Sequence, residues 1–315
     1  MWTICRKELA DHFSSTRFLI LFCLILMVAL VSTYMAATNV REVLEGVSKP
    51  SQVFLLQFTT PGKFFSLTQF VAFFGPLLGI IMGFDAINRE RQHGTLAKLI
   101  SQPIFRDAVI NGKFLAGVIT VSIALVSLML LLAGMGLLTV GVVPGWEEVG
   151  RLLIYLVVSI AYVSFWLGLA ILFSILFRSL ATSALAAVAV WIFFSFFIGF
   201  ASDLVAGALA PIKNPQDPEE LVAYRRVSDA ASLVSPAVLY SQATSTILDP
   251  YRRSRGNLVL MGLLEKLSME RFKNPLPLDQ SLAVVWPYLI SMLALTLICF
   301  GVSYVVFMRQ EIRSL

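Results

Sequence analysis

Residues 114–143 read FLAGVITVSIALVSLMLLLAGMGLLTVGVV, which is 30 residues without a charged side chain. An α-helix rises about 1.5 Å per residue, so about 20 apolar residues cross the roughly 30 Å of bilayer hydrocarbon. Further apolar runs of sufficient length lie at 18–37, 64–87, 152–177, 181–204 and 282–308. We therefore expect six transmembrane helices.

The composition agrees with a membrane protein. Hydrophobic residues make up 58% of the chain and charged residues 14%, and the mean hydropathy is +0.83. These values exceed what a water-soluble domain of 315 residues can bury. Isolated strands cannot satisfy their backbone in lipid, and the alternating segments of a β-barrel are absent from the sequence. The sequence predicts an all-α polytopic membrane protein forming one domain over residues 1–315.

The distribution of Lys and Arg predicts the orientation. Six spans put both termini on one side, where residues 1–17, 88–113, Arg178 and the chain end carry eleven Lys and Arg. The two short connections on the other side carry four. Segment 209–281 carries nine, but long segments cross the membrane largely regardless of charge. We expect both termini to be cytoplasmic, at the plasma membrane. This basic face and the net charge of +5 attract anionic lipids, and nothing indicates nucleic acid.

Two regions outside the spans have helical patterns. Residues 1–17 form an amphipathic pattern typical of a helix in the interface plane. Its apolar side holds Trp2, Cys5, Leu9 and Phe13. In the external module 209–281, Asp217 can cap a helix that begins at Pro218, and a second pattern covers 256–272. These two helices either rest on the bilayer and spans or form a docking surface for an external partner protein.

Ionisable residues inside spans are functional candidates, and here they are scarce. Asp85 is the clearest one, one helical turn before Arg89. We expect a structural ion pair of Asp85 with Arg89, or with a base of the N-terminal helix. The alternative is a proton-carrying role for Asp85 in an ion-coupled secondary transporter.

Small and aromatic residues mark spans two and five. Gly75, Gly79 and Gly83 repeat every four residues beside Pro76, which lets another helix backbone approach closely. In one interpretation the approaching helix comes from the same chain. Alternatively, the glycine face forms a seam between subunits or the wall of a moving pathway. Span five is crowded with aromatic rings, among them Phe194, that face lipid or line an apolar conduit.

The sequence shows no motif for nucleotide binding or for catalysis. The phosphate-binding pattern G-x-x-x-x-G-K-[ST] fails, because Gly112-Lys113 is followed by Phe114. The sequence contains no G-x-S-x-G or HExxH motif, and two histidines with three cysteines are too few for a Cys/His metal cluster. We expect neither a catalytic residue nor a metal site, so any energy for transport must come from another chain.

The loop 88–113 is the one segment that resembles a contact for a soluble partner. Gly94 can break the helix of span two, Thr95 can cap a short helix over 96–101, and Pro103 can stop it. Such a helix is either a lever inserted into a partner's groove or an ordinary interfacial loop helix.

The pattern Asp85-x4-Glu90-x3-Gly94-Thr95-Leu96-x2-Leu99-Ile100-Ser101-x-Pro103 resembles the inner loop of type-2 ABC transporter permeases. The opening Lys7-Glu8-Leu9-x-Asp11 and Ser15-x-Arg17-Phe18 is similar to the connecting helix of that class. Weaker similarities are Phe173-Ser174 with Phe177-Arg178-Ser179, and Ser235-Pro236 with Tyr240 and Ala243. The resemblance covers nearly the whole chain, including the six-span order.

The resemblance implies a homodimer or heterodimer of permeases, each engaging a separate ATP-binding cassette subunit that binds ATP and Mg. The coupling element would comprise Glu90, Gly94, Thr95, Leu96, Leu99, Ser101 and Pro103. The N-terminal helix would brace it. The dimer axis and pathway would be flanked by Gly75, Gly79, Gly83 and Phe194.

The enlarged segment 209–281 leaves two functions open. One is export of an amphiphilic or hydrophobic substrate. The other is a scaffold that transmits force to an external protein, as the resemblance to the permease of the nitrous oxide reductase maturation system implies. An ion-coupled carrier centred on Asp85 is the third alternative.

Overall fold

The computed structural model describes residues 1–44, 53–59, 66–92, 94, 105–212, 217–249 and 277–310. All regular elements in these residues are helical. In chain order they are α1 (Trp2–Phe13), α2 (Thr16–Leu44), α3 (Val53–Thr59), α4 (Leu67–Gly83), α5 (Asn88–Gln92), α6 (Arg106–Val140), α7 (Trp146–Leu176), α8 (Leu180–Ile192), a π-helical turn (Phe193–Phe197), α9 (Ile198–Leu209), α10 (Pro218–Ser232), α11 (Pro236–Leu248) and α12 (Leu278–Arg309).

Six helices of the described residues are long and apolar enough to cross a membrane. They are Thr16–Thr38, Thr68–Gln92, Arg106–Thr139, Trp146–Leu176, Leu180–Leu209 and Leu278–Arg309. The predicted all-α fold with six spans is confirmed. Span two comprises α4, a turn and α5, and span five comprises α8, the π-helical turn and α9.

The helices extend beyond the apolar runs. Span three begins at Arg106 rather than at residue 114, and span four begins at Trp146 rather than at residue 152. An apolar run marks only the part of a helix that matches hydrocarbon. Backbone hydrogen bonding continues through the polar ends, where water and headgroups solvate the side chains.

Helix α7 forms the centre of the bundle. In its most apolar window 72% of the residues are buried, against 22%, 11% and 17% for spans one, five and six. It packs most extensively against α4 and α12. The described residues therefore leave most of the apolar surface of spans one, five and six uncovered.

The N-terminal helix α1 is present, but its buried side differs from the prediction. Trp2 is 66% and Phe13 is 41% exposed, whereas Ile4, Cys5 and Glu8 are buried. Helix α1 packs against α6, where a Cβ on Gly112 would lie 3.1 Å from the Cβ of Ile4. Close contact with α6 decides which side is buried, and an apolar stripe alone cannot predict that a glutamate lies on it.

Helices α10 and α11 connect spans five and six at the end of the bundle opposite the chain termini. The predicted cap is confirmed, because Asp217 Oδ1 accepts the Glu219 N–H at 2.9 Å. The predicted helix over 256–272 lies outside the described residues.

Helix α11 was not predicted. It packs on α7 and α12, burying Leu239, Tyr240, Ala243, Ile247 and Leu248. The Tyr240 ring stacks on Tyr162 of α7 at 4.4 Å. Pro236 in the first turn and the apolar spacing after it are the sequence signals that could have revealed this helix.

Candidate functional site

A buried lysine joins three helices at the terminal face, the end of the bundle that carries α1, α5 and Gln310. Lys113 Nζ lies 2.9 Å from Glu8 Oε1 of α1 and 2.9 Å from Glu90 Oε1 of α5. The Lys113 side chain is only 4% exposed. A buried charge needs close partners, so this ammonium fastens α1 and the end of span two to the start of span three.

Lys7 lies close to the same two carboxylates on the solvent side of the cluster. Its Nζ lies 3.2 Å from Glu8 Oε1, 3.4 Å from Asp11 Oδ2 and 3.9 Å from Glu90 Oε1. Burial by itself raises the pKa of Glu8, but the ammonium groups of Lys113 and Lys7 outweigh it and hold that pKa below its ordinary value. Glu8 is therefore ionised at neutral pH, as the ion pairs require.

The end of span two is held by hydroxyl groups of its neighbours. Ser174 Oγ accepts the N–H groups of Ile87 and Asn88 at 3.0 and 3.1 Å. Ser183 Oγ donates to the Phe84 carbonyl at 2.9 Å. The turn between α4 and α5 leaves backbone groups without regular helix partners, and these hydroxyls satisfy them. Spans four and five thus fix where α5 begins.

Span six reaches the same face through Gln310. Arg91 donates to Gln310 Oε1 at 2.8 Å, and Arg106 donates to the Gln310 carbonyl at 3.3 Å. Gln310 Nε2 donates to the Ile175 carbonyl at 3.0 Å. The ends of four spans are therefore cross-linked within one small region.

The predicted coupling element is described only at its beginning. Glu90 lies in the Lys113 cluster, and Gly94 has a φ of +66°, a left-handed conformation that favours glycine. The Gly94 N–H donates to the Arg91 carbonyl at 3.2 Å, as at the end of a helix. Thr95, Leu96, Leu99, Ser101 and Pro103 lie outside the described residues, so the short helix stays a prediction.

Asp85 is in contact with Arg17, whose Nη1 lies 3.4 Å from Asp85 Oδ2. Arg17 lies in the first turn of α2 and not in α1, so the predicted pairing of Asp85 with a base of the N-terminal helix stays a prediction. Arg89 contributes a favourable charge to Asp85, and direct pairing with Arg89 stays a prediction. Asp85, Arg17 and Arg89 all lie at the terminal face, away from the middle of span two.

The glycine stripe of span two faces α7 of the same chain. A Cβ on Gly79 would lie 2.7 Å from the Val163 carbonyl oxygen, and one on Gly83 would lie 2.7 Å from that of Leu167. At Gly75 the nearest atom would be a Val163 methyl carbon at 3.0 Å. This face is occupied within the chain, which leaves no space for a second copy along the stripe.

Phe194 belongs to the π-helical turn of span five. Its carbonyl accepts a hydrogen bond from Ser235 Oγ at 2.9 Å, which ties the turn to the start of α11. A π-helical turn disturbs regular helix pairing and occurs frequently at functional sites. The role of Phe194 at a pathway or dimer seam stays a prediction.

Sequence reasoning missed Lys113 and Glu8 as parts of the site. In the sequence Lys113 counted only among the basic residues of segment 88–113 and in a phosphate-binding pattern that fails, and Glu8 appeared only in the stretch similar to the connecting helix. The available signal was a lysine directly before a 30-residue uncharged run, where a charge needs a partner.

Comparison with known proteins agrees with this architecture. A sequence model described as ABC-2 family transporter protein matches residues 2–312. The Probable ABC transporter permease protein NosY of Pseudomonas aeruginosa is 35% identical over 116 residues, which cover 36% of this chain and 38% of that protein. The protein of the same name from Stutzerimonas stutzeri is 29% identical over 115 residues, covering 36% of this chain and 37% of that one.

The alignments span just over a third of each NosY protein, whereas the family match spans nearly the whole chain. Family membership and six apolar helices confirm the resemblance to ABC permeases and identify an integral, multi-pass membrane protein. The chain belongs to the ABC-2 family of transporter proteins, as a transmembrane permease subunit.

Proposed function

We propose that this permease works as a dimer with a separate ATP-binding cassette subunit and exports an amphiphilic or hydrophobic substrate. The family match supports the ATPase partner. The excess of Lys and Arg in the short segments at the terminal face supports a cytoplasmic position for both termini, where ATP is available.

The observation that carries the proposal is the Lys113 cluster. A push on the loop after α5 reaches Glu90, and the bonds from Lys113 to Glu90 and Glu8 make α5, α1 and α6 move together. The close glycine contacts between α4 and α7 then pass the displacement to the centre of the bundle. Packed helices of this kind shift as rigid elements rather than deform.

The uncovered apolar surfaces support both the dimer and the class of cargo. Phe196, Phe197 and Phe200 of span five are 53%, 54% and 72% exposed. Neither they nor their neighbours in span five between residues 180 and 202 carry a charge, so a passage along this helix favours molecules with long apolar parts. A second permease copy covering span five would enclose such a passage.

Measuring ATP turnover in the purified complex tests the proposal. Glu90→Gln removes a charge from the Lys113 cluster, and Gly94→Pro forbids the positive φ. Each change is expected to lower substrate-stimulated ATP turnover by about fivefold or more, the scale of an ordinary coupling free energy. Asp279→Asn, an exposed carboxylate at the other end of the bundle, is the matched control. Unaltered turnover in both coupling variants would contradict the proposal.

A force-transmitting scaffold is the second candidate, and Arg151 favours it. This fully buried arginine donates to the Ile247 carbonyl at 2.9 Å and to Ser281 Oγ at 3.1 Å. Both ends of the segment between α11 and α12 are thereby fastened to the start of span four. Deletion of residues 256–272 separates the functions, because continued transport without capture of an external partner indicates an exporter rather than a scaffold.

A further inference from the structure

Span five consists of two α-helical halves joined by the π-helical turn Phe193–Phe197. The first half, α8, buries Ser183 and Ala187, and the second half, α9, buries Ser202 and Ala206. Each residue of the second pair follows its counterpart by 19 positions. Five turns of a regular α-helix take about 18 residues, so an uninterrupted helix would set the two buried faces about 100° apart.

The π-helical turn removes this mismatch. Its i→i+5 pairing places one residue more in the turn than α-helical pairing does, so the residues after it are turned back by about 100°. The buried faces of α8 and α9 then point to the same side of the span. The exposed faces are aligned in the same way, because Leu185 and Leu204, also 19 positions apart, are 69% and 76% exposed. The turn therefore gives span five one continuous apolar face.

Each half of span five is fixed to a different neighbour. In α8, Ser183 Oγ donates to the Phe84 carbonyl of span two at 2.9 Å. In α9, Asp203 Oδ1 accepts the Ser228 hydroxyl of α10 at 3.0 Å, and the Asp203 carbonyl accepts the Tyr224 hydroxyl at 3.2 Å. A rotation of the second half by about 100° would carry Asp203 away from both hydroxyl groups. The contacts of Asp203 thus report the register of the span.

Ser235 supplies a hydrogen bond to the π-helical turn from outside the span. Its Oγ donates to the Phe194 carbonyl at 2.9 Å, and the residue is fully buried. Ser235 is also the N-cap of α11, where a serine ordinarily accepts an N–H of its own helix, but its side chain makes no such bond. Helix α11 is itself held by span four, since the Tyr240 ring stacks on Tyr162 and its hydroxyl lies 3.0 Å from Ser159 Oγ.

The level of this hydrogen bond explains its importance. Phe194 lies near the middle of span five, which runs from Leu180 to Leu209. At that depth no water is available to satisfy a carbonyl that irregular pairing leaves without its usual partner. A hydroxyl brought in by a neighbouring helix replaces the water, so the turn depends on the position of α11.

We propose that Ser235 is a positioning residue of the passage along span five. By holding the π-helical turn, Ser235 keeps the apolar faces of α8 and α9 on one side of the span. Without its hydroxyl the span returns to α-helical pairing and the second half rotates by about 100°. The role in transport rests on the proposed function, whereas the role in the register does not.

Cysteine cross-linking in the full chain tests the register. The three native cysteines are replaced by alanine, and Asp203→Cys and Ser228→Cys then place two thiols where the side-chain oxygens lie 3.0 Å apart. After brief mild oxidation and denaturation, trypsin cleaves at Arg225 and Arg226 between the two positions. A disulfide is therefore detected by mass spectrometry as two linked peptides, and we expect this pair to link.

Ser235→Ala in this background should lower the linked fraction about fivefold, the scale of losing one buried hydrogen bond. Ser245→Ala is the matched control, because this hydroxyl of α11 donates to the Gln242 carbonyl of its own helix at 3.1 Å. The control should link like the cysteine pair alone.

Deletion of Ser195 distinguishes a positioning role from a general loss of folding. It leaves 18 residues between the paired positions, so an uninterrupted α-helix keeps both faces aligned without the π-helical turn. Combined with Ser235→Ala, the deletion should restore the link. A cysteine pair that does not link, a Ser235→Ala chain that links normally, or a combined variant that stays unlinked would each overturn the proposal.

Substrate-stimulated ATP turnover tests the role in the passage. It should fall in Ser235→Ala and recover when Ser195 is also deleted, because the apolar face is then continuous again. Unchanged turnover in Ser235→Ala with the link lost would overturn that role. The disulfide forms without ATPase or substrate, so an intact link with unaltered turnover in Glu90→Gln and Gly94→Pro would contradict only the proposed function.

Discussion

Replacing Lys113 by Met leaves two buried carboxylates without the ammonium that both contact at 2.9 Å. Removing one partner of a buried ion pair costs about 3–5 kcal/mol, because the remaining charge stays desolvated. Lys7 still lies 3.2 Å from Glu8, but it is 57% exposed, so its compensation is at most about 1 kcal/mol. We expect a net loss of about 2–4 kcal/mol, which lowers the midpoint of thermal unfolding by roughly 5–10 °C.

The pH dependence of this variant gives a sharper test than its midpoint alone. In the original chain the pKa of Glu8 is below its ordinary value, so its stabilising contribution is present above the unfolded pKa. That contribution is lost as the pH falls through the folded pKa. Without Lys113 the Glu8 carboxylate loses two favourable interactions while its burial and Lys7 remain, so the pKa of Glu8 is higher in the variant than in the original chain. Lowering the pH should therefore narrow the difference in unfolding midpoint between the variant and the original chain.

Thermal unfolding of the detergent-purified chain, followed by tryptophan fluorescence at pH 7 and pH 5, measures both effects. Lys7→Met is the matched control, with an expected loss of less than about 1 kcal/mol for an exposed ion pair. Adding Glu8→Gln and Glu90→Gln to Lys113→Met should recover much of the loss, because a neutral replacement of a buried ionic cluster is often tolerated. A Lys113→Met protein with the original midpoint at both pH values would refute the reasoning.

Two further substitutions test the helix packing and the opposite face. Gly79→Ala places a Cβ 2.7 Å from the Val163 carbonyl oxygen and should lower the free energy of unfolding by about 1–3 kcal/mol. Gly134→Ala is the control, because no atom lies within 4 Å of the added Cβ, and it should have little effect in the same unfolding assay. Arg151→Met removes the donor to the Ile247 carbonyl and should lower the free energy of unfolding by about 2–4 kcal/mol. It should also increase proteolysis of the connection after α11. Unchanged cleavage would show that the arginine does not fasten this connection.

Several features of the site were predictable because they depend on local chemistry. Gly94 was expected to break the helix of span two, and its positive φ and the bond of its N–H to Arg91 agree. The cap at Asp217 followed from the order Asp-Pro-Glu-Glu alone. Other features depend on which helices meet. The burial of Glu8 is one of them, because it depends on α6 placing Lys113 against α1.

The sequence by itself determined the number of spans and the family, since hydrocarbon thickness and backbone hydrogen bonding restrict any long apolar run to a helix. It also determined that Gly75, Gly79 and Gly83 allow a close helix contact. Only the tertiary structure decided that α7 fills this face and that Lys113 joins Glu8 to Glu90 across 105 and 23 residues of chain respectively. Lipid makes every apolar helix face equally acceptable, so hydropathy cannot select neighbours, and shape and buried charge select them instead.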